Sequence, residues 1–144
     1  MSMRKQLEQV AIEWMRELWT AGNTSAVDRL HAADFVDHSA AGRDTSNNGF
    51  KEGIRKFFTA FPDFHPTDDH LVIDAEQSEV TIRWTAEGTH QGEFLGVAPT
   101  GKRITFRGIE ILRIVDGIIT ERWGEWDGFD LLDQLHAPTS EDKQ

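Results

Sequence analysis

The 144-residue chain reads as an α+β protein, with helices first and an antiparallel sheet afterwards. Three observations predict this. Apolar residues recur at helical spacing as far as Phe61. From His70 onward the period changes from about 3.6 to about 2. Asp116-Gly117 then separates two apolar runs, a strong hairpin sign, because both central residues of such a turn need positive φ.

The first helix is predicted over Ser2–Ala21. Leu7, Val10, Ala11, Trp14, Met15 and Leu18 form one apolar face, and Gly22 and Asn23 can end it. Ser25 with Asp28 suggests a cap for a short second helix that turns Ala26, Val27 and Leu30 inward. Phe35–Ser39 reads as a short extended segment and Ala40–Asn48 as a loop. A third helix spans Asn48–Phe61, with Phe50, Ile54, Phe57, Phe58 and Phe61 on one face. Pro62 restricts the residue before it, so Pro62–Asp69 reads as a loop.

Leu71–Ala75 is a predicted strand. Glu79–Glu87 alternates, with Val80, Ile82, Trp84 and Ala86 on one face, as a half-buried antiparallel strand does. Gly88–Gly101 is a long connection. Arg103–Val115 and Ile118–Trp126 are the hairpin strands, and Phe129–Leu135 closes the chain as a short helix or turn. No linker or repeat divides it, so one domain is expected over 1–136, with a frayed polar tail over 137–144. The helices must cover one face of a twisted sheet. A sheet that curls round them leaves a cavity.

Composition narrows the chemistry. The chain has no cysteine and no tyrosine, but five tryptophans and nine phenylalanines. Disulfides, thiolate nucleophiles, cysteine-held metals and phenolic acids are thereby excluded. With 15 Lys plus Arg against 25 Asp plus Glu, the net charge of −10 argues against nucleic acid and anionic membrane as partners. No apolar run is long enough to span a bilayer, and the start lacks an apolar signal core, so a soluble cytoplasmic protein is expected. His65 and His70 flank two aspartates, but without the spacing of a zinc site, and no metal is expected there.

The hairpin also sets a register. A two-residue turn pairs Val115 with Ile118, Leu112 with Glu121, Glu110 with Trp123 and Phe106 with Asp127. Glu110 then interrupts an apolar face, where a carboxylate is either desolvated with a raised pKa or paired with a cation. Asp127 is expected on the same face, roughly 13 Å away at about 3.3 Å per residue. A bulge at Gly124 would reverse it, and an Asp before Gly also caps turns. His90 shares the inward parity of Trp84 and Ala86. It reads as a structural histidine or a site residue. His38, beside Asp37, means little by itself.

The segment Gly88 to Gly101 (GTHQGEFLGVAPTG) resembles a loop of SnoaL-like polyketide cyclases. In that family it is followed by a strand, a D-G-x-I hairpin and a Trp-containing strand ending in Asp. Here these are Arg103–Val115, Asp116 to Ile119, and Trp123 to Asp127. Phe35 to His38 and Phe61 to Asp63 add to the resemblance, which covers roughly residues 35 to 135. It implies a nuclear transport factor 2-like cone: three helices packed on a curved, mainly antiparallel sheet that encloses a pocket, in a homodimer. It implies a hydrophobic small-molecule substrate, no cofactor, and ring closure of a polyketide by intramolecular aldol condensation. The family's acid/base aspartate matches Asp127, and His38 and His90 match recurrent family histidines. Glu110, Trp84, Trp123, Phe58 and Phe106 are the candidate substrate-binding residues.

Other activities share this fold. Ketosteroid isomerases and scytalone dehydratase-like enzymes resemble it but lean on tyrosines, which this chain lacks. Limonene epoxide hydrolases use an Arg-x-Asp where this chain has Arg83-x-Thr85. An acid/base enzyme, related hydroxylation-assisting chemistry and a non-catalytic binding domain remain the readings to separate.

Overall fold

Ser2 opens α1 (Met3–Trp14) by accepting the Lys5 N–H on its hydroxyl, one of the donors a helix start leaves free. The helix buries Leu7, Ala11 and Trp14 and then widens into a π-helical stretch, Met15–Thr20. The Ala21 N–H closes that stretch on the Arg16 carbonyl, and Gly22 turns the chain away at φ 64°. A single 3-10 turn (Thr24–Ala26) leads into α2 (Val27–Leu30) and β1 (His31–Asp37). α3 (Asn47–Ala60) stops at Phe61, where Pro62 follows. β2 (His65–Asp74), β3 (Glu79–Thr89), β4 (Arg103–Val115), β5 (Ile118–Trp126) and α4 (Gly128–His136) complete the order. This computed structural model describes residues 1–138. The tail expected over 137–144 lies, beyond Pro138, outside the described residues. No helix among the described residues is long and apolar enough to cross a membrane.

The strands form one sheet in the order β1-β5-β4-β3-β2. Every neighbouring pair is antiparallel except β1, which runs parallel to β5. The α+β architecture is therefore four helices on an open five-stranded sheet. Alternation sends Val80, Ile82, Ala86, Ile104, Phe106, Leu112 and Ile114 to one buried face. At one end of that face they pack with α1 residues and with Phe50 and Ile54. At the other they pack with Phe61, Phe64, Leu131 and Leu135. Trp19, Phe58 and Trp84 touch both groups.

The structure differs from the sequence reading at three places. Pro62–Asp69 is not a loop throughout, because β2 begins at His65. Pro66 is tolerated there since β2 is an edge strand, where a missing N–H need cost no ladder bond. The extended segment of β1 starts at His31 rather than Phe35, and its mixture of polar and apolar residues hides the alternation. In β5 the hairpin starts as expected, with Val115 opposite Ile118 and Ile114 opposite Ile119. Arg113 then pairs with Glu121, which leaves Thr120 as an extra residue. Beyond this bulge every β5 side chain changes face relative to the simple register. Arg122 and Gly124 share the face of Glu110, while Glu121 and Trp123 take the other.

Candidate active site

A cavity of about 570 Å³ opens between the helices and the inner face of the sheet, a size that suits a small-molecule ligand. Trp19, Phe57, Phe64, Trp84 and Phe106 contribute aromatic wall, and Glu110, Arg122, Arg43 and His38 contribute polar wall. Three adjacent strands build the charged part. Asp37 of β1 is in register with Arg122 of β5, and Gly124 of β5 is opposite Glu110 of β4.

Arg122 bridges two buried carboxylates. Its Nη1 donates to both Asp37 oxygens at 3.0 and 3.2 Å, and its Nη2 to both Glu110 oxygens at 2.9 and 3.1 Å. Arg43 adds a longer contact to Asp37 at 3.4 Å, and the Ser39 N–H donates to Asp37 at 2.9 Å. Glu110 is 4% exposed and Asp37 is fully buried. Burial raises the Glu110 pKa, and the nearby Arg122 opposes this without cancelling it. Burial acts against the charge of Arg122 too, but Glu110 and Asp37 outweigh it and hold its pKa above the ordinary value. Glu110 thus meets both alternatives open at the sequence level, desolvation and pairing with a cation.

The predicted residues divide. Glu110, Trp84, Phe106 and His38 line the cavity. The His38 ring stacks on Trp123 at 4.6 Å, and its Nε2 lies 3.0 Å from Glu121. Trp123 itself is turned to the opposite sheet face by the Thr120 bulge, so its expected pairing with Glu110 does not occur. Phe58 packs against Phe57 and Phe64 and is not among the lining residues. His90 is inward and fully buried, as its parity indicated, but it lies beside Phe61 and not on the cavity. The Thr100 N–H donates to its Nδ1 at 3.1 Å.

Asp127 does not share the face of Glu110. The bulge changes the register, β5 ends at Trp126, and Asp127 caps α4 by accepting the Asp130 N–H at 2.9 Å. Its side chain is 46% exposed and lies 3.6 Å from Arg107, in a shallow groove separate from the cavity. The turn-capping alternative describes its placement.

Asp37, Arg122 and Arg43 were not identified from sequence. Asp37 sat in a recognisable extended segment. Arg122 was hidden by the bulge, and Arg43 by its place in an irregular loop.

The family model for SnoaL-like polyketide cyclases matches residues 9–135. The chain belongs to this SnoaL-like family. Among solved structures, this SnoaL-like chain is similar to AclR of Streptomyces galilaeus, proposed to be a hydroxylase. They are 29% identical, with 96% of this chain and 100% of that one covered and a TM-score of 0.80. IdmH of Streptomyces antibioticus, proposed to be a polyketide cyclase, is 28% identical, with coverage of 90% and 98% and a TM-score of 0.77. TsrD of Streptomyces laurentii, at 24% identity, coverage of 94% and 98% and a TM-score of 0.82, shows the same fold. No curated protein matches the chain. The SnoaL-like neighbours thus carry more than one activity in their descriptions, so the fold leaves the reaction to be argued from the site.

Proposed function

We propose that this SnoaL-like protein closes a ring in a hydrophobic polyketide by intramolecular aldol condensation, with Glu110 as general acid/base. The observation that carries this is a buried carboxyl, Glu110, with a raised pKa, on the wall of a cavity to which Trp19, Phe57, Phe64, Trp84 and Phe106 contribute aromatic surface. As a carboxylate, Glu110 takes a proton from the carbon beside a substrate carbonyl. The carbanion attacks a second carbonyl carbon, a C–C bond forms, and the alkoxide takes that proton back from Glu110. Neighbouring carbonyls of a polyketide delocalise the carbanion, so the chain needs no cofactor for this step. A raised pKa brings the carboxyl closer to the working pH, where it can both accept and donate. The aromatic wall holds the substrate folded for attack. The proposed partners are this small molecule and a second copy of the chain.

A second reading draws on AclR, whose description is that of a hydroxylase. There the same carboxyl would take the substrate's α-proton to leave a carbanion, and an oxidation with dioxygen and a separate reductant would follow in place of ring closure.

The deciding experiment follows deuterium uptake from D₂O at the α-carbon of an aromatic β-keto ester. Wild type should accelerate uptake. Glu110→Gln should lose about 100-fold or more of that rate, the usual scale of a missing acid/base group. Asp127→Asn should keep it. If Asp127→Asn loses the rate and Glu110→Gln does not, Asp127 is the acid/base and the assignment of Glu110 fails.

A further inference from the structure

Arg122, Lys56 and Arg43 are the arginine and lysine side chains on the cavity wall. Arg122 is spent, since its two terminal nitrogens are taken by Asp37 and Glu110. Lys56 is exposed to water. Arg43 is neither spent nor fully exposed, and its side chain keeps 28% of its surface accessible. Its Nη1 donates to the Gly49 carbonyl at 3.2 Å and its Nη2 to Asp37 at 3.4 Å, both long for a charged donor. Its Nε–H has no acceptor among the described residues, yet it is not one of the closed-off unpaired atoms, so it borders open space.

Two costly local features hold Arg43 at the wall. The chain reaches it through left-handed backbone at Ala41 (φ 53°) and Gly42 (φ 88°), and a non-glycine residue in that region is strained. Gly53 stands in the middle of α3, where an alanine would favour the helix. A Cβ there would come within 2.7 Å of Arg43 Nη1, 2.9 Å of the guanidinium carbon and 3.0 Å of Nε. All three atoms belong to the guanidinium, so the glycine is its seat. Gly53 is itself part of the cavity wall.

Charge gives the seat a purpose. Two carboxylates, Asp37 and Glu110, meet two guanidiniums, Arg122 and Arg43, and the charges of Arg43 and Glu110 act on one another. When the α-C–H bond of the substrate breaks, its proton goes to Glu110 and its electron pair into the enolate, with the charge on oxygen. The wall then carries one unmatched positive charge as the substrate gains a negative one, and fixed donors aimed at such a charge lower the barrier. Arg122 stays engaged by Asp37. We propose that Arg43 is the oxyanion-binding residue of the site: its guanidinium donates to the enolate oxygen that forms as Glu110 takes the proton. The substrate class this selects is a β-dicarbonyl whose enolate oxygen lies beside Gly53. This rests on the cavity being the reaction site.

The test uses the full chain and two probes of one shape. 2-Phenyl-1,3-indanedione ionises at neutral pH to a coloured enolate. Its 2-methyl derivative has no α-proton and stays neutral. Titrations at pH 7 should show wild type binding the enolate more tightly than the neutral probe. Arg43→Gln should weaken enolate binding about 10-fold to 100-fold, the worth of a hydrogen bond to a charged group, and leave the neutral probe within about twofold. Gly53→Ala, which displaces the guanidinium without removing it, should reduce the preference as well. Equal binding of both probes by wild type, an intact preference in both variants, or an equal loss of both probes in Arg43→Gln overturns the role of Arg43 and leaves the cavity reading standing. If binding of 2-naphthoate depends on Arg43 and that of the enolate does not, the residue reads a substrate carboxylate and the enolate role is overturned. If wild type binds neither probe, the cavity reading falls with it.

Discussion

A Cβ on Gly124 would run into the Arg122 guanidinium and the Glu110 carboxylate, which cross over it. Gly124 faces Glu110 across the ladder and sits two residues from Arg122 on the same face. The space a side chain would occupy is filled by the ion pair. A buried pair is tolerable only when its geometry is good and its remaining hydrogen bonds are met. Forcing it apart therefore costs on two counts, overpacking and worsened pairing. Gly124→Ala should lower stability by about 1–3 kcal/mol, the usual cost of overpacking. Urea unfolding measures this directly. An unchanged midpoint would mean that the pair can move aside and that Gly124 is not its seat. The glycine was visible in the sequence, but as a sign of a bulge. Its actual reason, room for two side chains from neighbouring strands, depends on a register that a different residue, Thr120, sets.

His31 ties three elements together at the start of β1. Trp14 of α1 donates to its Nε2, so Nδ1 carries the proton and donates to Asn47 of α3 at 3.0 Å. Asn47 in turn donates to the Ala32 carbonyl of β1. Burial lowers the His31 pKa from 6.5 to about 4. Between those values the unfolded chain binds the proton and the folded chain does not, so stability falls as pH drops through this window. The loss attributable to His31 is roughly 3 kcal/mol and is complete below about pH 4. The raised Glu110 pKa acts in the opposite direction, favouring the fold toward lower pH. Urea unfolding of wild type and His31→Gln at pH 7 and pH 4.5 isolates the histidine: the variant should lack most of its share of the acid loss. Equal losses in both proteins would show that His31 is not held neutral by the fold. The elements legible from sequence were those whose own pattern suffices. α3 has its apolar face and Pro62, β3 its alternation, and the hairpin its Asp116-Gly117. The start of β1, the π stretch and the Thr120 bulge were not legible, because each is selected by what packs against it. The site inherits that division: Glu110 was found from its strand, while Arg122 needed the bulge that local pattern misses, and Asp37 needed the partner that the bulge supplies.

At the scale of the molecule, the outer sheet face has the character of a covered surface. Ile109 and Val115 of β4 and Ile118 of β5 are exposed on it, beside the half-buried Ile111 and Trp123. The charges among them alternate in sign. Arg113 lies within reach of Glu79 and Glu121, and Arg107 of Asp127. A chain with net charge −10 repels its own copies over most of its surface, so a face that balances its charges is where two copies can meet. An isologous pair across this face would repeat each contact twice about a two-fold axis. A stable interface needs about 1,000 Å² or more of buried surface, and the face must supply it from apolar residues at the centre and ion pairs at the rim. The proposed homodimer follows, with Ile109 near its middle. Sedimentation velocity at micromolar concentration should give a dimer for wild type and a monomer for Ile109→Asp, with the circular dichroism spectrum unchanged. A wild-type monomer, or a dimer that survives Ile109→Asp, would place the second copy elsewhere or remove it. The cavity opens on the other face of the sheet, so loss of the dimer should leave the rate of deuterium uptake within about twofold, as expected for a site built by one chain.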